Sequence, residues 1–278
     1  MTADLSAARN VGRVFQRCRN EKKAAFIPFI VAGNPDSDAS VEIIAAARDG
    51  GADIIEIGIP YSDPLADGPT IQRAAHRALL RGMTFDGALE VARLAKGRLP
   101  DTPLIGFTYY NPVVTRGVEK TAIDFAAAGL AGIIVPDLPL EEAAPLLDAF
   151  RAHGLAVTLL VAPTTPDIRA RAIAELCTDF VYIVSRMGVT GADRQIGEIV
   201  RSQVARLRTL TEKPLAVGFG VASAAHAALI ASFADGVIVG SALIDRIAAA
   251  QSTAQAVEDV RQFCSEISSS CRREPVHS

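Results

Sequence analysis

Glu56 is the residue of this 278-residue chain whose setting most demands a chemical explanation. It interrupts an apolar run, Ile54-Ile55-Glu56-Ile57, near the C-terminal end of what reads as a β-strand. A lone carboxylate in such a run must be paired, hydrogen-bonded or shifted toward its neutral form. Two readings follow. One is a structural glutamate in a buried polar network. The other is a general acid/base whose pKa is raised by a partly apolar pocket. The loop that follows, Pro60-Tyr-Ser-Asp-Pro-Leu-Ala-Asp-Gly-Pro69, adds Asp63 and Asp67. Asp-Pro and Asp-Gly are also turn signals, so each aspartate alone could serve only the turn. Together with Glu56 they place carboxylates on a loop above a strand-end carboxylate.

A second chemical signal is glycine. Gly218-Phe219-Gly220 and Gly240-Ser241-Ala242 follow two successive strand-like runs, and Gly188-Val-Thr-Gly191 follows the run before them. Glycines let backbone N–H groups approach an anion, and a following helix N-terminus adds its positive end. Any one of these reads as a tight turn needing glycine for geometry. Three at consecutive strand ends, with the Ser241 hydroxyl available, predict a site for a phosphorylated ligand. Other chemistries are disfavoured. The lysines are Lys22, Lys23, Lys96, Lys120 and Lys213, and none falls at the C-terminal end of a strand, as a Schiff-base aldolase would require. His76, His153 and His226 fall on helices or at a helix end and His277 near the terminus. A histidine-ligated metal is therefore not expected, and no Walker or dinucleotide fingerprint is present.

These residues are positioned by a regular alternation. Apolar runs occur at Phe26–Val31, Asp53–Gly58, Leu104–Tyr109, Gly132–Val135, Ala156–Val161, Phe180–Val184, Pro214–Val217 and Gly236–Val239. Each is followed by a longer, alanine-rich stretch of helical spacing. Near-continuous apolar strands imply a parallel sheet covered on both faces. Eight such units in this length predict a single (β/α)8 barrel, residues 1–278, rather than an open sheet. Pro28 is a misfit in the first strand and predicts a late start or an irregularity there. Leu5, Ala8, Val11, Val14, Phe15 and Cys18 form one apolar stripe, so residues 1–20 are expected to form a helix capping the N-terminal mouth. Residues 269–278 read as a loose tail.

Composition bounds the class. There are 28 Lys+Arg against 31 Asp+Glu, a net charge of −3, which argues against a nucleic-acid binder. Half the residues are hydrophobic, enough for a sizeable core, yet tryptophan is absent. No apolar run reaches the ~18–20 residues of a membrane helix, and no secretory signal is visible at the start. Cys18, Cys177, Cys264 and Cys271 show no metal or redox spacing, so reduced thiols in a cytoplasmic protein are expected.

The run from Glu56 through Gln72 closely resembles the signature of the tryptophan synthase alpha chain family. The resemblance continues through Tyr109-Tyr-Asn-Pro112, Pro136-Asp-Leu-Pro139, Ser185-Arg-Met-Gly-Val-Thr-Gly191, Gly218-Phe-Gly220 and Gly240-Ser241, in the family's order and over nearly the whole chain. It implies a carbon–carbon lyase: retro-aldol cleavage of indole-3-glycerol phosphate to indole and glyceraldehyde 3-phosphate, with no cofactor of its own. By position, Glu56 would be the principal acid/base and Asp67 would hold the indole N–H. Phe29, Tyr182 and Phe219 match the indole and glycerol pocket. Gly191, Gly218, Gly220, Gly240 and Ser241 match the phosphate cradle, and Thr190 matches a residue that closes over Asp67.

The resemblance also implies a beta chain that holds pyridoxal phosphate, in an α2β2 complex, contacted through Asp63, Asn111, Asp137 and Pro139. The chain departs from the family pattern at Tyr61, where phenylalanine is common, and at Met187, where a small hydroxyl residue is more usual. Both bear on loop closure rather than on the reaction. The alternatives are a stand-alone lyase releasing free indole, another sugar-phosphate barrel, and a barrel serving only as an activating subunit. The strand-end lysine and histidine pattern disfavours the second, and intact Glu56 and Asp67 disfavour the third.

Overall fold

In the computed structural model, residues 11–184, 193–218 and 220–273 are described, except the side chains of 193–196. Nine parallel strands form one sheet. They are β1 (Ala25–Val31), β2 (Ile55–Gly58), β3 (Leu104–Phe107), β4 (Gly132–Ile134), β5 (Ala156–Thr158), β6 (Leu160–Val161), β7 (Val181–Val184), β8 (Leu215–Gly218) and β9 (Gly236–Val239). The sheet order is β5-β4-β3-β2-β1-β9-β8-β7-β6. The two ends of that order are one stretch of chain, broken only at Leu159, so the sheet closes on itself. Eight staves result, the fifth split in two: β5 pairs with β4 and β6 with β7. At the break the Leu159 N–H turns to the Cys177 thiol at 3.3 Å, while its carbonyl accepts from the Tyr182 N–H at 3.2 Å.

The described helices surround the barrel. They are α1 (Val11–Asn20), α2 (Ser37–Asp49), α3 (Pro69–Leu80), α4 (Phe85–Arg98), α5 (Tyr110–Arg116), α6 (Val118–Ala127), α7 (Ala143–Ala152), α8 (Asp167–Leu176), α9 (Asp193–Arg208), α10 (Ala224–Ala231), α11 (Ser241–Ala249) and α12 (Thr253–Ser270). Side-chain caps fix several starts. Asp36, Thr84, Ser223 and Ser252 each accept a first-turn N–H, a contribution of about 1 kcal/mol apiece. None of the described helices is long and apolar enough to cross a membrane.

Pro28 does not delay β1. The strand starts at Ala25 and pairs with β9 through Ala25–Pro28, then with β2 from Phe29 onward. The Ala25 N–H goes to Asp235 and the Phe26 N–H to the Asp53 carboxylate, so alternate residues face opposite neighbours. By that alternation Pro28 forfeits one donor on the β2 side, and the pairing with β9 carries the strand across it.

The N-terminal mouth is closed by α1. Val11, Val14, Phe15 and Cys18 are buried, and the Phe15 and Phe180 rings lie 5.2 Å apart at the start of β7. Leu5 and Ala8 of the same expected stripe lie outside the described residues. Asp53, just before β2, ties the cap to the barrel. It accepts from Arg17 Nη2 at 2.7 Å, Lys23 Nζ at 2.9 Å and the Phe26 N–H at 3.0 Å. The segment expected to be loose from residue 269 is held as far as Arg273. Here α12 runs to Ser270, Cys271 is buried, and the Arg273 guanidinium bonds the carbonyls of Ala231 and Ala234.

Candidate active site

Strand register assembles the C-terminal mouth. Phe29 stands opposite Glu56 on β1 and β2, Glu56 opposite Ile105, and Gly58 opposite Phe107. Phe29 and Phe107 meet edge to face at 5.4 Å. Glu56 is fully buried, and among the described residues neither carboxylate oxygen has a hydrogen-bond partner. Burial pushes its carboxyl up to about 8, so at neutral pH it holds its proton. The described residues give no support to reading Glu56 as part of a buried polar network.

Asp67 sits on the loop after β2, which is folded back by local bonds. The Asp67 N–H donates to the Pro64 carbonyl at 3.1 Å, and Gln72 Nε2 donates to the Asp67 carbonyl at 2.9 Å. The Tyr109 hydroxyl accepts the Ala66 N–H at 3.1 Å and also bonds the Asp67 carboxyl. Burial raises Asp67 to about 6, with the Tyr109 bond pulling the other way. Tyr182, on β7, is raised well above the usual phenol range by burial, with the nearby charges of Glu56 and Asp67 adding to it. It therefore shares the pocket of both carboxyls. The result is two acids, each acting on Tyr182, with opposite protonation between about pH 6 and about 8, the pattern that separates a proton donor from an anionic stabiliser.

Beside Asp67 opens a cavity of about 510 Å³, walled by Leu65, Ala66, Val135, Leu138, Leu159, Leu160 and Val184. Asp67, Thr165 and Arg169 supply its polar lining, while Glu56 is not among its walls. Aliphatic walls with a few polar groups suit an apolar ring bearing a polar donor.

The glycine turns occupy the same end of the barrel. Gly218 closes β8, and a Cβ there would collide with the Tyr182 ring, so glycine is what lets the phenol lie flat on the strand. Gly220 has φ of +82°, a conformation that favours glycine. Gly240 caps α11, and Ser241 is its first residue. The Leu243 N–H already donates to the Gly240 carbonyl at 3.0 Å, while the Ser241 and Ala242 N–H groups have no acceptor within their own helix, the arrangement that suits an anion. A Cβ at Gly240 would lie 3.7 Å from Phe29, so this end adjoins the aromatic wall. Thr190, Gly191, Phe219 and Met187 lie outside the described residues.

The exposed residues of the rim form a second group. Asp63 and Asn111 are exposed, and Asn111 Nδ2 donates to the Tyr61 hydroxyl at 3.0 Å. The hydroxyl at Tyr61 thus joins the loop after β2 to α5. Asp137 accepts the Tyr110 N–H at 2.8 Å, and Pro139 is exposed beside it. Leu65, 88% exposed, projects from the same rim. Sequence reasoning placed Tyr109 at the end of the third strand run but gave it no role; its bonds to Ala66 and Asp67 are tertiary facts. It also missed the short helix α5, because Pro112 reads as a breaker. At its third position a proline is tolerated, since the N–H it lacks would have no partner in the helix.

Among the described residues, no cluster of three His, Cys, Asp or Glu could hold a metal. Lys22, Lys23 and Lys213 lie at the N-terminal mouth, and Lys96 and Lys120 on outer helices. None can reach a carbonyl in the chamber.

A family profile described as "Tryptophan synthase alpha chain" matches residues 15–272. The chain is 45% identical over 259 residues to the tryptophan synthase alpha chain of Picosynechococcus sp., covering 93% of this chain and 97% of that one. It is 40% identical over 265 residues to that of Arabidopsis thaliana, at 95% and 96% coverage. Among solved structures, tryptophan synthase from M. tuberculosis in its aminoacrylate- and BRD0059-bound form superposes with a TM-score of 0.85 at 37% identity, covering 95% of this chain and 99% of that chain. The tryptophan synthase subunit alpha of Legionella pneumophila gives 0.86 at 32%, covering 93% and 97%. The chain belongs to the tryptophan synthase alpha chain family.

Proposed function

We propose that the chain cleaves indole-3-glycerol phosphate to indole and glyceraldehyde 3-phosphate. The observation that carries this reading is the buried Glu56, without a partner among the described residues and held protonated to about 8, at the same barrel mouth as an Asp67 that ionises near 6. Protonated Glu56 gives its proton to indole C3. The resulting ring cation is stabilised by the Asp67 carboxylate at the indole N–H. The Glu56 carboxylate then takes the proton of the adjacent glycerol hydroxyl. Its O–H electrons form the aldehyde, the C–C bond breaks, and that bond's electron pair restores the aromatic indole. Glu56 ends as it began, and the ring is the electron sink, so no lysine is required.

In this reading the indole ring lies among Phe29, Phe107, Tyr182 and the chamber walls. The phosphate takes the N–H groups of the Gly218–Gly220 turn and the Gly240–Ser241 helix end, with Phe219, Thr190 and Gly191 completing the enclosure. Asp63, Asn111, Asp137, Pro139 and exposed Leu65 form the surface for a beta chain that carries pyridoxal phosphate, in an α2β2 assembly that takes up the indole. The four cysteines are unpaired and buried, which supports a cytoplasmic setting.

The test is indole release from indole-3-glycerol phosphate, with and without a beta chain. The chain has no tryptophan, so indole fluorescence is read against tyrosine alone. Release that rises on adding the beta chain is expected. No release under either condition would overturn the reading, and release indifferent to a beta chain would instead favour a stand-alone lyase.

A further inference from the structure

The loop after β2, residues 59–68, carries Asp67 but has little of its own to fix it. Ser62, Asp63 and Leu65 are exposed. Most of its bonds run within it or to the adjoining Gln72. Ser62 Oγ donates to Asp63 Oδ2 at 2.6 Å, the Leu65 N–H to the Asp63 carbonyl at 2.9 Å and the Asp67 N–H to the Pro64 carbonyl at 3.1 Å. Such bonds give a loop its shape without fastening it to the barrel. A carboxylate that is to meet a developing charge has to be in place before the charge appears.

Two tyrosines supply the fastening. Tyr109 is buried and caps α5. Its ring lies against that of Tyr61, near the start of the loop, with centroids 5.4 Å apart and planes at 33°. Its hydroxyl reaches the Ala66 N–H at 3.1 Å and the Asp67 carboxyl, near the loop's end. One side chain therefore spans the loop. Tyr61 is held in turn from a second side. Its hydroxyl accepts from Asn111 Nδ2 at 3.0 Å, in the first turn of α5. That turn is itself pinned, since the Tyr110 N–H donates to Asp137 at 2.8 Å. Tyr61 is thus gripped by its ring face and by its hydroxyl, from Tyr109 and Asn111 on one helix start. A phenylalanine there would keep the ring contact and lose the anchor.

We propose that Tyr61 is a positioning residue for Asp67: its hydroxyl, held by Asn111, fixes the ring on which Tyr109 rests, and Tyr109 holds Asp67 at the chamber. The inference rests on the reading of Asp67 as the group that stabilises the indole cation. Tyr61 acts through Tyr109 and not on the substrate. The phosphate is gripped elsewhere, by the Gly218–Gly220 turn and the Gly240–Ser241 helix end. Loss of the Tyr61 hydroxyl should therefore lower kcat and leave KM in place.

The test compares the full chain with Tyr61→Phe, Asn111→Ala and the double variant. Amide hydrogen exchange is followed by NMR at Ala66, whose N–H is bound by Tyr109, and at Phe26, whose N–H is bound by Asp53 at the opposite mouth. Ala66 should exchange about fivefold faster in each single variant, the weight of one net hydrogen bond. The double variant should exchange no faster than either, because both changes remove the same bond, and Phe26 should not respond. In indole release, Tyr61→Phe should lower kcat by about three- to tenfold with KM unchanged. An Ala66 amide unmoved in Tyr61→Phe, effects that multiply in the double variant, a parallel rise at Phe26, or faster Ala66 exchange with unaltered kcat would each overturn the proposal. An unaltered chain that shows the exchange pattern but releases no indole would bring down the proposed reaction and leave the tether standing. Indole release without any exchange response would do the reverse.

Discussion

Asp53, just before β2, and Glu56, within it, lie three residues apart, both buried, and they could hardly be treated more differently. Asp53 takes three donors, from Arg17, Lys23 and the Phe26 backbone. Glu56 takes none. At the N-terminal mouth a carboxylate is fully satisfied and fastens the cap helix to the barrel. At the C-terminal mouth a carboxylate is stripped of every partner and kept neutral by its surroundings. The first arrangement serves stability and the second holds a proton ready. Strand ends in a barrel are alike in backbone; what distinguishes them is whether the neighbouring loops supply donors.

Breaking this contrast from the Glu56 side has the largest effect. Glu56→Gln should lower indole release by ~10²–10⁴-fold, the usual cost of losing an acid/base, while the melting temperature is unchanged or raised. The pH dependence of stability follows from the same residue. The folded carboxyl holds its proton to about 8, whereas the unfolded one releases it near 4.5. Between those values the folded state binds more protons, so stability falls as pH rises. Denaturant titrations across that range should show the slope in the unaltered chain and a shallower one in Glu56→Gln.

Asp53→Ala should produce the mirror image. Removing the acceptor leaves Arg17 and Lys23 only the more distant Glu21 carboxylate and leaves the Phe26 N–H unpaired; it should cost about 1–3 kcal/mol of unfolding free energy, measured by denaturant titration, with turnover per folded molecule nearly unchanged. A comparable loss of turnover would mean that the two ends of the barrel are not independent.

Asp67→Asn should cost ~10²–10³-fold in turnover, in line with losing one preorganised electrostatic group. With Glu56 it sets the pH profile. Protonating Asp67 below about 6 and ionising Glu56 above about 8 should give a bell-shaped kcat/KM with limbs near those values. The smallest effect is expected from Tyr109→Phe. Loss of its bonds to Ala66 and Asp67 should reduce kcat/KM roughly tenfold, matching about 1.4 kcal/mol for positioning a loop.

Much of the barrel was legible because its signals are local. Apolar runs and alanine-rich stretches mark the eight βα units, and Leu104, Gly132, Ala156 and Gly236 begin strands where the runs predict. What escaped was tertiary. The run from Gly240 onward reads as one helix, yet Ser252 caps a new one, and no glycine or proline announces the break. Pro28 reads as a disruption because pairing on the β9 side cannot be seen in one strand's sequence. The importance of Glu56 was visible in its type and place. Its lack of partners was not, since that depends on what Ile105, Phe29 and Tyr182 bring around it. Tyr109 is in the same position: its place at a strand end is legible, but its bond to Asp67 is not.

The central claim is that Glu56 stands protonated at neutral pH because it is buried without partners. Carbon-13 NMR titration of glutamate side-chain carboxyls, with Glu56→Gln identifying the resonance, measures this directly. The expected result is a single carboxyl titrating near 8, far above the other glutamates and absent from the variant. A Glu56 resonance titrating near 4.5, with the rest, would contradict it.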